Sequence, residues 1–215
     1  MDMELTYIYH SGFALSGDGF TVIMDYYRDS EDGQAQADLN RLMDGTFSNQ
    51  EAGMPEGTVH SELLRRPGKL YVLASHFHPD HFNKEVLTFR EKHPDIVYIF
   101  SQDILHEEKL LSTDAVWLKK GDCYADDVLR VHAFGSTDVG ISFLVEAEGK
   151  KIFHAGDLNN WHWMDESSEA EWKGYERDYL FELDCICSYT RNMDVVMFPV
   201  DPRLGTEYMR VRVSL

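Results

Sequence analysis

Cysteine is scarce in this chain of 215 residues, and long apolar runs are absent. The three cysteines include no C-x-x-C pair, so neither a disulfide framework nor a thiolate zinc site is predicted. No stretch of about 18 apolar residues occurs, and the first residues lack the basic and apolar regions of a secretion signal. We therefore expect a cytoplasmic protein with reduced thiols and no membrane partner.

Positive charge is the other shortage. Lys and Arg number 20 against 38 Asp and Glu, which gives a formal net charge of −18. A surface of this sign repels the phosphate backbone of nucleic acids, and no basic patch interrupts it. We therefore expect a small-molecule partner rather than DNA or RNA.

The first half of the chain alternates strand and helix patterns. Alternation over 4–15, the turn signal 16-SGDG-19 and the apolar residues 20–27 predict a β-hairpin. Further along, predicted strands cover 69–75, 95–101 and 114–120, and predicted helices cover 83–93 and 102–111. This order of elements is typical of α/β layering.

The second half has a similar strand content. Its predicted strands cover 127–135, 140–149, 150–157 and 194–201, and a long helix is predicted over 166–189. We therefore expect a single domain, 1–215, in which two sheets carry helices on their outer faces. The acidic, glycine-containing segment 28–66 interrupts the pattern and is predicted to be an insertion or a lid over the core.

Four potential metal ligands fall within six positions directly after the predicted strand 69–75: His76, His78, Asp80 and His81. Imidazole and carboxylate are usual zinc ligands. His76 and His78 can turn toward one ion, and Asp80 and His81 toward a second ion ~4 Å away. A solvated polar loop is the alternative interpretation, but this spacing after a strand favours a metal site.

The segment 76-HFHPDH-81 resembles the H-x-H-x-D-H signature of the metallo-β-lactamase superfamily. The segment 153-FHAGD-157 is similar to the family segment whose aspartate bridges two metals. Together with the opening 10-HSGF-13, it also resembles the branch that includes L-ascorbate-6-phosphate lactonase and related predicted metal-dependent hydrolases.

The resemblance implies an α/β fold, the αββα sandwich of two mixed β-sheets with helices on the outer faces. It also implies a hydrolase of a small-molecule ester, lactone or phosphate-bearing metabolite that uses a metal-bound hydroxide. The implied ligands are His76, His78, Asp80, His81 and Asp157, and they would hold two divalent ions. Zinc is the first candidate, with manganese or iron as the others. Asp80 would also accept the proton of the attacking water.

Two departures from the family pattern concern the ligands. Family members carry a further histidine where this chain has the loop 135-GSTDVG-140, so Asp138, His132 or water would complete the first site. A last histidine, expected after a helix and strand beyond 194–201, has no counterpart. We interpret the tail 209–215 as a truncated or frame-shifted end from which the last strand and helix are missing.

Four more residues border the predicted centre. His10 follows the first strand and by resemblance would line the pocket, or else be an ordinary surface or core histidine. His154 is expected to support the ligands rather than bind metal, because it lies three residues before Asp157 on a predicted strand. Trp161 and His162 follow in a loop that would form an aromatic wall for substrate or pack against the lid.

Two other functions stay open. With two family ligand positions absent, the chain could be an impaired or inactive metal-binding module. The same fold also occurs in diiron redox proteins, but these resemble the pattern with a carboxylate where this chain has His78. Metal content and hydrolysis of model esters or phosphodiesters would distinguish the three functions.

Overall fold

A computed structural model describes residues 3–29, 57–109, 114–201 and 203–204. The chain divides into two compact units, Met1–Phe100 with Ile104–Trp117, and Ser101–Asp103 with Leu118–Leu215. No helix in the described ranges is both long and apolar enough to cross a membrane.

The first unit is built on a six-stranded mixed sheet whose strands follow one another in sequence order. The strands are β1 Glu4–Tyr9, β2 Gly12–Gly17, β3 Phe20–Met24, β4 Lys69–Ala74, β5 Ile96–Ser101 and β6 Val116–Leu118. Strands β1 to β3 are antiparallel, whereas β4 runs parallel to both β3 and β5. All of β3 and nearly all of β4 are buried, which explains their continuous apolar sequences.

Short helical segments complete the core of the first unit. They are α1 Thr58–Ser61, the 3₁₀ helices Leu63–Arg65 and Lys84–Glu91, and α2 Gln102–Glu107, which belongs to this unit from Ile104 onward. Val59 of α1 and Val86 and Phe89 of the second 3₁₀ helix are buried in the same cluster as Phe100 of β5. Apolar burial therefore holds segments that are too short to be stable helices alone.

A polar chain of four residues fastens α1 to the segment after β3. The Asp29 carboxylate accepts the backbone N–H of His60 at 2.8 Å and lies 2.8 Å from its Nδ1. Nε2 of the same ring lies 3.2 Å from Oε1 of Glu85, whose other oxygen accepts the Tyr26 hydroxyl at 2.9 Å. Burial and the adjacent Glu85 both raise the pKa of Tyr26, so this hydroxyl stays a donor.

The second unit has a five-stranded mixed sheet in the order β11, β10, β9, β8, β7. The strands are β7 Cys123–Ala125, β8 Leu129–Phe134, β9 Ser142–Ala147, β10 Lys150–His154 and β11 Val195–Met197. Only the pair of β10 and β11 is parallel. The turn at Glu148 and Gly149, both with positive φ, joins β9 to β10 as the sequence predicts.

One long helix, α3 Glu169–Tyr189, packs within the second unit. Its residues Tyr179, Leu183 and Ile186, at i, i+4 and i+7, are buried in one cluster with Leu144 and Phe153 of the sheet. Most charged residues of the helix lie on its remaining surface, although Glu182 is buried and Leu180 and Phe181 are exposed. This pattern is the reason why the helix could be predicted from sequence.

Most predicted elements are present, with three differences. The residues 4–15, predicted as a single strand, form two strands that reverse at His10 and Ser11. The predicted helix 83–93 is a 3₁₀ helix, and β7, a strand of three largely exposed residues without an apolar run, was not predicted. Of the predicted insertion at 28–66, residues 30–56 lie outside the described ranges, as do residues 205–215 of the tail. The lid and the single-domain organisation stay predictions.

Candidate metal centre

A buried aspartate, Asp25, lies beside residues 76–81 of the first unit, the segment that we call the histidine loop. Strands β3 and β4 are parallel neighbours, so Asp25, which follows β3, lies beside Ser75, which follows β4. Oδ1 of Asp25 accepts the Ser75 backbone N–H and Oδ2 accepts the Ser75 hydroxyl, both at 2.7 Å. Oδ2 also lies 2.8 Å from Nδ1 of His81, and the Asp25 and His81 side chains are 0% and 1% exposed. One carboxylate therefore fixes the start and the end of the loop.

These contacts determine which ring nitrogens carry protons. The carboxylate of Asp25 can only accept, so Nδ1 of His81 donates to it. The Ser75 hydroxyl donates its one hydrogen to Asp25. It must therefore accept a hydrogen bond from Nδ1 of His76, which lies 3.0 Å away. Both His76 and His81 are thus held with a proton on Nδ1 and a lone pair on Nε2, the form in which imidazole binds a metal.

His76 and His78 present two nitrogens to the same point. Nε2 of His76 lies 3.0 Å from Nδ1 of His78, and the two rings meet nearly edge to face at 82°. Two ligands at ~2.1 Å from a tetrahedral ion lie roughly 3.4 Å apart, so this separation fits a shared ion. His76 is fully buried and His78 is half-buried, so one ring is rigidly held and the other faces outward.

Asp80, His81 and His10 form a second group in the same unit. Oδ2 of Asp80 lies 3.9 Å from Nε2 of His81 and 3.8 Å from Nε2 of His10. Potential ligand atoms of the three residues all lie within 4.8 Å of one another. Two imidazoles and a carboxylate are a suitable donor set for zinc, manganese or iron, so these residues fit a divalent ion.

Asp25 and Ser75 were missed by the sequence reasoning. The signal was present, because each polar residue directly follows an apolar strand, at 20-FTVIMD-25 and 69-KLYVLAS-75. Parallel neighbouring strands bring the residues at their carboxyl ends together, which is where sites on such sheets form. Recognising it required knowing that β3 and β4 are parallel neighbours, and they are separated by more than 40 residues of chain.

The other predicted ligands belong to the second unit. Asp157 follows β10 and is half-buried, and Asp138 is exposed in the loop after β8. Thr137 belongs to the loop 135–140, where the resemblance predicts a further histidine. Its hydroxyl donates to the carbonyl of Asn159 at 2.6 Å and accepts the Asn159 N–H at 3.0 Å. Thr137 therefore links the loop after β8 to the loop after β10 within the second unit. The roles of Asp138 and Asp157 as ligands stay predictions.

Supporting residues of the second unit are also placed. His154 is buried at the end of β10, and its Nδ1 accepts the N–H of Gly156 at 2.9 Å, which agrees with a structural role. Trp161 donates its indole N–H to the Asp157 carbonyl at 2.9 Å and stacks on Trp163 with ring planes 10° apart. His162 between them is buried, whereas the two tryptophans are half-buried.

His132 lies outside this group of loops. It is part of β8, opposite Cys123 of β7, with its Nε2 hydrogen-bonded to the Tyr189 hydroxyl and 3.5 Å from Glu146. Burial lowers the pKa of His132, and the neighbouring carboxylate only partly offsets that effect. These contacts within the sheet and α3 give His132 a structural role.

Comparison of the sequence with models of known protein families identifies the family of this chain. The profile of the beta-lactamase superfamily domain matches residues 4–171. The chain belongs to this family. The predicted superfamily and its fold of two mixed β-sheets with helices are therefore confirmed. The narrower likeness to the lactonase branch stays a prediction, and comparison with curated proteins gives no match.

Solved structures similar to this chain include three from different organisms. CmlA, a diiron beta-hydroxylase from Streptomyces venezuelae, is 16% identical with a TM-score of 0.55, covering 91% of this chain and 34% of CmlA. Igni18, a metallo hydrolase from Ignicoccus hospitalis, is 17% identical over 73% of this chain and 61% of its own, with a TM-score of 0.48. YhfI from Bacillus subtilis, a metallo-beta-lactamase fold protein, is 8% identical over 71% and 62%, with a TM-score of 0.44. The chain thus spans only about a third of CmlA.

Proposed function

We propose that the chain is a metal-dependent hydrolase of a small-molecule ester, lactone or phosphate-bearing metabolite. The observation that carries this proposal is the linkage of His76 and His81 to one buried carboxylate. Through Asp25 and Ser75, both imidazoles keep a lone pair on Nε2. Burying a carboxylate costs free energy, and an aspartate that orients two metal-binding imidazoles would explain why the chain buries one here.

The proposed cofactor is a pair of divalent ions, with zinc first and manganese or iron as alternatives. Such ions lower the pKa of a coordinated water to ~7 and polarise a carbonyl or phosphoryl oxygen. His76 and His78 would hold one ion, and Asp80 and His81 the other. Asp157 remains a proposed further ligand on the strength of the family resemblance.

Asp80 is proposed to handle the proton. Its side chain is 41% exposed, whereas its neighbour His81 is 1% exposed. Of its two oxygens, Oδ2 faces the histidines, which leaves Oδ1 to accept a proton from an attacking water. A carboxylate that is half open to solvent can then release that proton to water.

A small substrate is proposed from charge and from aromatic residues. The net charge of −18 disfavours nucleic acids. Trp161 and Trp163 are stacked and half-buried, and they follow Asp157 in sequence, so they supply apolar ring surface that could contact one small molecule. We propose that this pair contacts substrate rather than only packing against other parts of the chain.

The test combines metal analysis with hydrolysis. The purified chain is analysed for metals, stripped, and reloaded with zinc, manganese or iron, and hydrolysis of lactones, aryl esters and phosphodiesters is measured. We expect activity that depends on metal and falls at least ~100-fold in His76→Gln, because that residue is a proposed ligand. His106→Gln, an exposed histidine at the end of α2, is the control and should retain activity.

The same measurements distinguish the two alternatives. Bound metal without hydrolysis of any substrate class would favour an inactive metal-binding module. Iron with visible absorption in protein purified without added metal would favour a diiron redox protein. Either result would contradict the hydrolase proposal.

A further inference from the structure

We propose that His10 is a metal ligand that completes, with Asp80 and His81, a three-ligand site for one divalent ion. The inference rests on the proposed metal dependence and names a ligand that the family resemblance does not supply. All three residues belong to the first unit, and their potential ligand atoms lie within 4.8 Å of one another.

The backbone places His10 at this point at a cost. His10 begins the two-residue turn between β1 and β2 and has a φ of 55°. Residues other than glycine adopt this left-handed conformation at a cost of roughly 1 kcal/mol. Gly12 makes the turn possible, because a Cβ there would lie 2.9 Å from the Tyr9 carbonyl oxygen and 3.2 Å from that of Asp25. The turn is therefore pressed against the residue that orients His81.

The His10 ring is oriented toward the other two ligands. It stands edge-on to His81, with ring centroids 5.9 Å apart and planes at 86°, and edge-on to Tyr27 at 6.0 Å. Its Nδ1 lies 3.2 Å from the Ser11 hydroxyl, and its Nε2 faces Oδ2 of Asp80 at 3.8 Å. When Nδ1 donates to this hydroxyl, Nε2 keeps the lone pair that binds a metal.

The distances suit a site that closes around its ion. Ligands of a tetrahedral zinc ion lie roughly 3.4 Å apart, so the separations of 3.8 and 3.9 Å require contraction by about half an ångström. The side chains of His10 and Asp80 are 43% and 41% exposed and have room to move, whereas His81 is held by Asp25. His81 would act as the fixed ligand toward which the others move.

This arrangement has a consequence for the proposed reaction. An imidazole that binds an ion through Nε2 cannot also take a proton there, so His10 would not serve as the base. Three protein ligands leave the ion an open position, as catalytic sites require. Oδ1 of Asp80 would then accept the proton of the attacking water.

The first test follows cobalt binding by the stripped chain. Wild-type protein, His10→Asn and the control His106→Asn are titrated with Co²⁺, and affinity is read from the visible absorption and from calorimetry. Asparagine tolerates positive φ, so His10→Asn should fold, which far-UV circular dichroism checks. We expect His10→Asn to weaken one cobalt site by at least ~10–100-fold, the loss typical for disturbing a ligand's support, and His106→Asn to change nothing.

The second test places a distinctive ligand at the same position. In His10→Cys, a thiolate bound to Co²⁺ should add a sulfur-to-cobalt charge-transfer band in the near ultraviolet, and His106→Cys should not. Wild-type affinity and spectrum in His10→Asn, together with no new band in His10→Cys, would overturn the proposal.

Failure of the ligand and failure of the proposed function give different results. If wild type binds metal and hydrolyses substrate while the position 10 variants bind cobalt as wild type does, only the role of His10 is wrong. If His10→Asn weakens cobalt binding but wild type hydrolyses nothing, the site stands and the hydrolase proposal fails. If wild type binds no cobalt, both are wrong.

Discussion

Replacing Asp25 by asparagine should reverse the proton arrangement of the histidine loop while leaving the backbone in place. Asn tolerates the positive φ of 47° at this position and has the same shape as Asp. Its Oδ1 can still accept the Ser75 N–H, but an NH₂ group replaces the oxygen that faces the Ser75 hydroxyl and Nδ1 of His81. His81 must then accept at Nδ1 and carry its proton on Nε2.

The change spreads to the other side of the loop. Once the Ser75 hydroxyl accepts from the new amide, it donates to Nδ1 of His76, so this ring also moves its proton to Nε2. Both proposed ligands would lose the lone pair that binds metal. We expect metal affinity to fall by ~10–100-fold, the range for mutated residues that orient a ligand. The free energy of unfolding should fall by only ~1–2 kcal/mol, because the hydrogen bonds are kept in neutral form.

Asp25→Ala provides the comparison. It leaves three buried donors without their acceptor, and breaking such a charged contact costs ~3–5 kcal/mol, with roughly 1 kcal/mol more for alanine at positive φ. The assays are urea unfolding of the stripped protein and cobalt titration, with the exposed Asp95→Asn as control. Wild-type metal affinity in Asp25→Asn would refute the proton argument. An Ala variant as stable as the Asn variant would refute the assigned hydrogen bonds.

Three further predictions concern packing, pH and ligands. Gly174→Ala within α3 should raise the free energy of unfolding by ~0.5–1 kcal/mol, because a Cβ there meets nothing within 4 Å. Gly12→Ala should lower it by ~1–3 kcal/mol, because a Cβ there lies 2.9 Å from the Tyr9 carbonyl oxygen. Equal effects of the two substitutions in urea unfolding would contradict this. Burial holds the pKa of His132 down, so the stability that its neutral ring contributes is present above the unfolded pKa of ~6.5 and is lost as pH falls below it. His132→Gln should therefore gain stability relative to wild type between about pH 7.5 and 5.5, and a constant difference would count against it. Asp157→Ala should lower metal content measured by mass spectrometry, and unchanged occupancy would remove Asp157 from the proposed ligands.

The elements that could be predicted are those whose local pattern matches their surroundings. Strands β3, β4 and β5 are buried on both faces, so their sequences are continuously apolar. Helix α3 buries residues at i, i+4 and i+7, so its period is visible in the sequence. The split of 4–15 could not be predicted, because His10 enters a left-handed conformation that histidine seldom adopts.

The histidine loop could be recognised from sequence because its candidate ligands are close neighbours and directly follow a strand. The order His76, His78, Asp80 and His81 predicted the family, which is confirmed, and a hydrolytic chemistry that stays a prediction. Local spacing sufficed here, because residues two to five apart in one loop can reach the same ion without help from the rest of the fold.

The residues that orient and complete the loop come from elsewhere in the chain. Asp25 lies 56 positions before His81, and the sequence near Asp25 marks it only as a polar residue at the end of an apolar strand. It reaches that histidine only because β3 and β4 pair in parallel and end at the same edge. His10 likewise approaches Asp80 because β1, β2 and β3 pair in sequence order. Sequence thus specified the candidate metal-binding loop with its three histidines, whereas strand pairing, a long-range property, placed the Asp25 carboxylate and a fourth histidine, His10, beside it.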